Sequence, residues 1–501
     1  MRHGHLAGGF LLSWALVAGN GILLYTLIRR ILSHPAALVG SLIFILFPLD
    51  TSRQILMHQT DLLLGIFLLL LCFHFYLGGR YFLAYGVLTI SLLNLEAFFL
   101  PFLVAPILVA GRSAMGSRKS FLRKLFTHAA ILGILFGLYV LGRLVLGEER
   151  ARDVSLRAGD TAARMARLAL EGPSHGIEAL ILRPIDGALH SNSILLPFAL
   201  LAAVVTAWAL TWKKRTGTGI EVRSDINSAQ GGERRAWVYV LVSGLLAWPL
   251  GYVLWIPNDY FPPVIGIGRL SGEHAAAAIA AGLVAAGLAE WVVSTPIFPK
   301  HFLALAFSCY CGALVSFGVH IQLSEYVAYW AETKKFWSAL LDQIRDVQDG
   351  DVVLIEQSSD NRVMPTTQGF STWDVAVYIP RALPYFVDFP SNWKHPPRVY
   401  GIWPQVAFQD DGDARKLQTP SWAPGIWPTI RSGNFIYLRA ANGRLERVNH
   451  PVEITGKIFD PKLKPKENIP PLKNSRVYVN LTSEPTSKDW FTLRNAKYYP
   501  Q

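Results

Sequence analysis

The stretch Asp61-Leu-Leu-Leu-Gly-Ile-Phe-Leu-Leu-Leu-Leu-Cys-Phe-His-Phe75 decides the fold class. One carboxylate opens it, and only His74 breaks the polarity of the run that follows. A polar stretch, Asp50 to Thr60, comes before it. This is the pattern of a membrane-crossing helix with an ionisable group at its end. The arrangement recurs. Glu96 sits between two apolar runs, and Arg269 sits in a short loop between two others. An acid at the edge of a bilayer is costly unless it faces water or a partner, so function is to be sought at these positions.

Composition agrees. The 501 residues are 51% hydrophobic and 16% charged, against about 25% charged in a soluble domain. The mean hydropathy is +0.30. The deficit of charge ends near residue 322. The net charge of +12 is assigned to basic cytoplasmic loops, so no nucleic-acid partner is expected. Cys72, Cys309 and Cys311 all lie in apolar runs and cannot staple an extramembrane domain. Cys309 and Cys311 read as helix-packing residues rather than a metal pair.

Apolar segments lie near 7–28, 35–49, 61–78, 81–95, 97–110, 128–146, 194–212, 236–256, 275–293 and 302–322. A span takes about 20 apolar residues. Three segments, 35–49, 81–95 and 97–110, are short. They read as strained hairpins or re-entrant pieces, or 81–110 reads as one long helix. Charge arbitrates. Loop 111–127 carries Arg112, Arg118, Lys119, Arg123 and Lys124 with no acid. Loop 213–235 carries Lys213, Lys214, Arg215, Arg223, Arg234 and Arg235. The positive-inside rule makes both cytoplasmic. Ten spans then place Arg29 and Arg30 inside, with Asp50, Asp61, Glu96 and everything after 322 outside. A single helix over 81–110 would turn Arg29 and Arg30 outward.

The expected fold is a polytopic α-helical membrane protein. About ten transmembrane segments fill 1–322, and an extracytoplasmic α/β or β-rich domain fills 323–501. Ten spans start Met1 outside the cytoplasm, yet the first segment lacks cleavable-signal character. A further span upstream is therefore expected. In loop 147–193, Arg164, Met165, Arg167 and Leu168 fit an amphipathic helix on the outer headgroups, or else a solvated loop helix.

The C-terminal region differs in kind. Apolar residues Trp330, Phe336, Trp337, Leu340, Leu341 and Ile344 recur every three or four positions, so 326–347 reads as a helix. Asp351-Val-Val-Leu-Ile-Glu356 reads as a buried strand, with further strands at 375–379, 398–402, 435–439 and 477–480. The Lys- and Pro-rich stretch 457–475 reads as an extended surface segment.

Four constellations carry candidate chemistry. The first is Asp50, Arg53, His58 and Asp61. An acid here serves as a general base or holds a polar donor, tuned by burial and by Arg53. The other reading is structural: Asp50 caps a loop and Asp61 caps its helix. The second is Glu96, which has no sequence-adjacent cation. It faces a cavity or pairs with another helix, for example through Arg53 or Arg269. The third runs from Asn258 through Arg269 to His274. The Arg269 fork can hold a phosphate beside helix N-terminal amides, or serve as a snorkelling anchor. Gly266 and Gly268 are no nucleotide fingerprint, because no strand precedes them and the third glycine is absent. The fourth is Trp373, Trp393, Trp403, Trp422 and Trp427, read as domain core before sugar-stacking platforms. Asn480-Leu-Thr482 matches a glycosylation triplet of a kind common by chance. No Walker loop, HExxH, GxSxG or zinc-spaced set is present.

Three stretches carry a family resemblance. They are Leu23-Leu-Tyr-Thr-Leu-Ile-Arg-Arg-Ile-Leu-Ser-His-Pro-Ala-Ala-Leu38, then Phe44-Ile-Leu-Phe-Pro48 followed by Asp61, then Leu88-Thr-Ile-Ser-Leu-Leu-Asn-Leu-Glu96 followed by Pro101. Together they resemble the membrane core of the GT-C superfamily of glycosyltransferases, which use polyprenyl-phosphate sugars. The resemblance implies sugar transfer on the outer face of the membrane to a glycan, lipid or protein acceptor. Asp61 and Glu96 match positions beside the family's outer cavity, and with Asp50 they are the candidate catalytic acids. Arg269, then Arg183 and His274, with Arg53, are the candidate ligands of the lipid phosphate. The implied reaction is an inverting displacement that requires no metal or other cofactor. Two departures stand out. The family's essential acid lies in a first outer loop before the helix that opens this sequence, and Leu95 replaces the lysine of the family's Lys-Glu pair. A bacterial inner membrane is the expected location, from the style of the loops. The alternative is a non-catalytic membrane component that binds or transports a lipid-linked saccharide.

Overall fold

The structure, a computed structural model, describes residues 4–51, 60–112, 118–146, 158–189, 195–211, 236–254, 269–295, 299–323, 338–356, 397–402, 408–411, 414–417, 429–441, 444–454 and 456–463. The chain forms two compact units, Arg2–Gln322 and Leu323–Gln501.

The first unit is helical. Its order is α1 (Gly4–Arg29), α2 (His34–Ile45), α3 (Thr60–Leu77), α4 (Tyr81–Asn94), α5 (Ala105–Arg112), α6 (Arg118–Val145), α7 (Ala158–Leu189), α8 (Leu195–Thr211), α9 (Ala236–Val253), α10 (Ala275–Ser294) and α11 (Lys300–Ile321). Among the described residues, six helical stretches are long and apolar enough to cross a membrane: Leu11–Arg29, Thr60–Leu77, Lys119–Val145, Ala236–Val253, Ser271–Ser294 and His301–Ile321. Three shorter apolar helices are His34–Ile45, Tyr81–Asn94 and Leu196–Ala207. The chain is an integral membrane protein with a sheet-containing C-terminal region.

Residues 81–110 are not one helix. Leu95 is extended, at φ −158° and ψ 114°. Two tight turns follow, Glu96–Phe98 and Leu100–Val104. Pro101 stands in the second, where it offers no N–H and biases Leu100 away from helix.

Small residues set the packing. Between helices in a bilayer, Gly and Ala allow close backbone approach. The start of α10 is Ala-Ala-Ala-Ala-Ile-Ala-Ala-Gly over 275–282, all buried. A Cβ on Gly40 of α2 would stand 2.6 Å from the Gly282 carbonyl oxygen. A Cβ on Gly244 of α9 would stand 2.7 Å from the Val284 amide nitrogen. Helices α2 and α9 therefore lie backbone-to-backbone against α10.

Helix α7 is longer than the amphipathic segment read from sequence. It packs on α9 through Gly172 against the Tyr252 ring and Gly176 against the Trp248 ring. It packs on α11 at Gly187, where a Cβ would stand 2.3 Å from the Ala313 carbonyl oxygen. Pro184 lies inside α7 and lacks the N–H that would bond Leu180. The Tyr310 hydroxyl of α11 donates to that Leu180 carbonyl at 2.7 Å. Ser316 Oγ likewise donates to the Gly187 carbonyl at 2.8 Å.

Arginines gather at one end of the unit. Arg112 donates to the Leu77 carbonyl at 2.7 Å and Arg30 to the His74 carbonyl at 3.4 Å. Both reach carbonyls in the last turn of α3, where a cation is favoured by the helix dipole, and the His74 carbonyl also accepts from Gly78 N at 3.0 Å. Glu290 holds the start of α2 at that end, accepting from Ser33 N at 2.9 Å and Ser33 Oγ at 2.5 Å.

The second unit contains a mixed sheet in the order β2-β1-β6-β7. Strand β1 (Val352–Glu356) runs parallel to β2 (Arg398–Ile402) and β6 (Phe435–Ala441). Strand β7 (Arg444–Arg447) is antiparallel to β6. The continuous apolar run of β1 suits a strand covered on both faces, and Val353, Leu354 and Ile355 are fully buried. Strands β3 (Phe408–Asp411), β4 (Ala414–Leu417) and β5 (Thr429–Ile430) form a second sheet. Strands β8 (Val452–Ile454) and β9 (Lys457–Phe459) form a third. Residues 457–459 are thus paired strand rather than part of an extended surface segment. Arg447 is fully occupied: it binds Asp346 at 2.5 and 3.0 Å and donates to the carbonyls of Gln343, Lys462 and Leu463. The expected strands at 375–379 and 477–480, the five tryptophans and Asn480 lie outside the described residues.

Candidate functional site

Because α2 and α9 both press on α10, three chain ends converge. Asp50 and Thr51 follow α2. Tyr252 lies in the last turn of α9. Ser271, Glu273 and His274 occupy the turn Arg269–His274 that leads into α10. Each of these side chains is buried, with Asp50 5%, Glu273 4% and His274 0% exposed. Thr51 Oγ1 and Ser271 Oγ share a hydrogen bond of 3.0 Å. The Tyr252 hydroxyl and His274 Nδ1 share one of 2.9 Å. His274 Nε2 lies 3.8 Å from Glu273 Oε1, so a protonated imidazole here has its counter-ion. The Tyr252 ring also meets the His274 ring edge-on, with centroids 5.5 Å apart.

Burying carboxylates is expensive, and such groups concentrate where chemistry or binding needs them. A buried carboxylate beside an imidazole can accept, hold and return a proton. The hydroxyls of Thr51, Ser271 and Tyr252 add polar positioning groups. Helix α7 covers the cluster from one side through the Gly172 contact with Tyr252.

The residues singled out from sequence divide in three. Asp50 and His274 join the cluster. Asp61 and Glu96 have other described partners. The Asp61 side chain is exposed in the first turn of α3, where a carboxylate suits the helix dipole. Its backbone carbonyl accepts from Asn94 Nδ2 at 3.2 Å. Glu96 pairs with Arg143 of α6 at 3.6 Å and accepts from the Tyr139 hydroxyl at 3.3 Å. The Arg143 guanidinium in turn lies over the Tyr139 ring, 4.6 Å from its centroid. The described partner of Glu96 is Arg143, and the expected partners Arg53 and Arg269 have side chains outside the described residues. Arg183 sits on α7 over the Phe317 ring, 5.0 Å from its centroid, away from the cluster. Arg53, His58 and the Arg269 side chain lie outside the described residues.

Sequence reasoning missed Tyr252 and Thr51 and gave no separate role to Ser271 and Glu273, which lie in the Asn258–His274 stretch it singled out. Among the described residues no group of three or more His, Cys, Asp or Glu could hold a metal ion. Cys72 and Cys311 are buried free thiols and Cys309 is an exposed one. No family model, curated protein or solved structure matches the chain.

Proposed function

We propose that this protein is a membrane glycosyltransferase that moves a sugar from a polyprenyl-phosphate donor to an acceptor hydroxyl at the outer face of a bacterial inner membrane. The observation that carries the reading is the buried Glu273–His274 pair at one end of three helices, with buried Asp50 close to the Tyr252 that bonds His274. The resemblance of its first hundred residues to the GT-C core supports it. In this reading all ten apolar segments cross or enter the bilayer, and the sheet unit lies outside the cytoplasm. The arginines at the opposite end, Arg30 and Arg112, agree with that orientation.

The chemistry is an inverting displacement. A carboxylate, Glu273 or Asp50, takes the proton of the acceptor hydroxyl. The hydroxyl oxygen bonds to the anomeric carbon while the bond from that carbon to the phosphate oxygen breaks. The polyprenyl phosphate leaves with the electron pair, and Arg269 is the cation assigned to it.

The test is release of polyprenyl phosphate from a synthetic polyprenyl-phosphate hexose by the full chain in liposomes. A positioned base contributes about 10²–10⁴-fold, so Glu273→Gln or Asp50→Asn should lose at least roughly 100-fold in turnover with donor binding retained. Wild-type turnover in both variants removes the cluster from the mechanism. Donor binding without any turnover in the wild type would instead favour the non-catalytic component that binds or transports the lipid-linked saccharide.

A further inference from the structure

Helix α7 carries a second polar feature, on its outward face. A groove of about 380 Å³ is lined there by Glu178, Arg183 and Asp186 together with Leu182, Ile185 and Leu189. The three apolar side chains are 51%, 52% and 78% exposed. The opposite side of α7 packs on α9 and α11 near their C-terminal ends, at Tyr252 and Phe317. A helix with one face packed on membrane spans and an apolar stripe on the other lies at the boundary of headgroups and chains. The occupant of such a groove is a membrane amphiphile.

Charge selects its headgroup. Arg183 is partly withdrawn from water over Phe317. Burial lowers its pKa, and the nearby Asp186 and Glu178 carboxylates push it back up. Glu178 also lies 3.6 Å from His175 Nδ1. Among the described residues that line the groove, one guanidinium stands beside two carboxylates. A phosphate monoester such as a polyprenyl phosphate would meet the guanidinium and both carboxylates at once, and like charges at this range repel. An uncharged headgroup would leave the arginine without an anion from the lipid. A headgroup with a phosphate and an ammonium satisfies both signs.

We propose that the α7 groove seats an ethanolamine phospholipid, with its phosphate on Arg183, its ammonium shared by Asp186 and Glu178, and its chains along Leu182, Ile185 and Leu189. The guanidinium offers a forked pair of donors to phosphate oxygens. The primary ammonium donates hydrogen bonds to the carboxylates, which a choline headgroup cannot do. This assigns Arg183 to a bound structural lipid rather than to the donor phosphate of the sugar-transfer reading, and it stands whether or not that reading holds.

The full chain is reconstituted in nanodiscs holding equal amounts of ethanolamine, choline and glycerol phospholipids. It is then released into detergent, and the retained lipid is measured by native mass spectrometry. Ethanolamine lipid should be enriched roughly 5-fold over glycerol lipid, the size one partly exposed ion pair supplies. The doubly substituted chain Glu178→Gln, Asp186→Asn should lose the preference for ethanolamine over choline. Arg183→Gln should lose retention of all three, while Arg183→Lys restores part of it. Melting temperatures in detergent identify any variant that fails to fold, and the preference in the wild type decides the proposal in that case. Equal retention of the three lipids by the wild type, or preferential retention of the glycerol lipid, overturns it. So does an ethanolamine preference that survives in a folded Glu178→Gln, Asp186→Asn chain.

Discussion

The Tyr310 hydroxyl donates a hydrogen bond to the Leu180 carbonyl, 2.7 Å away, and so replaces the amide that Pro184 lacks. A proline that would leave a part-buried acceptor bare in one helix is answered by a side chain of another. One such hydrogen bond contributes about 0.5–1.5 kcal/mol net. Tyr310→Phe should therefore lower stability by that amount. Pro184→Ala restores an N–H at the right place, so adding it to Tyr310→Phe should recover most of the loss. Denaturation of the full chain in detergent micelles would read both changes. Equal losses in the single and double variants would disprove the substitution of one donor for another.

The contact of Gly40 with Gly282 predicts a steric effect. A Cβ at position 40 would press on backbone, which cannot swing aside. Gly40→Ala should cost about 1–3 kcal/mol, the usual size for overpacking. Gly86 of α4 has nothing within 4 Å of its would-be Cβ. Gly86→Ala should be neutral or stabilising by up to about 1 kcal/mol, because helix interiors disfavour glycine. Melting temperatures of the two variants, compared side by side, check the contrast.

In the C-terminal unit the Arg447 and Asp346 side chains are 1% and 6% exposed. Removing one partner strands the other charge, at about 3–5 kcal/mol. Arg447→Met should speed amide exchange across β6 and β7 in the full chain. Replacing both, Arg447→Met with Asp346→Leu, should be milder than the single change. A double variant no milder than the single would show that the stranded Asp346 carboxylate is not what the single change costs.

The Tyr437 phenol is pushed above its ordinary value, first by burial and then by the neighbouring Glu356 carboxylate. Its unfolded value is about 10. The folded state thus holds the proton more tightly than the unfolded state does. The resulting stabilisation is complete below about pH 10 and falls away as pH rises toward the folded value. Near-UV circular dichroism of the full chain from about pH 9 to 11 should show an alkaline loss of order, and Tyr437→Phe should reduce it. Identical alkaline curves for the two proteins would remove Tyr437 from the effect.

Much of this architecture was readable in advance, and the reasons differ by element. All ten apolar segments form helix or tight turns within the described residues, because an apolar run of that length has few other ways to satisfy its backbone. The strands at 352–356, 398–402 and 435–441 announced themselves through short β-branched and aromatic runs. The break at Leu95 was half visible, since Pro101 marked trouble but not its position. The buried cluster was least legible. Asp50 and His274 were noticed singly, but they stand over two hundred positions apart. The packing of α2 and α9 on α10 brings their segments together, and one sequence gives no sign of which helices touch. Glu96 shows the same gap, because its partner Arg143 lies on a helix that sequence spacing could not choose.

The alanine-rich start of α10 has a consequence for how this chain can change. Its neighbours hold it by backbone proximity, so it has almost no bulky side chains that could be reshuffled after an error. Inserting a single residue between 275 and 282 would rotate all that follows by about 100°. Gly282 would then turn away from Gly40, and a methyl group or larger would meet that carbonyl instead. Lengthening of the surrounding connections is tolerable, whereas a shift of phase in this one segment would scatter the acids gathered at its head.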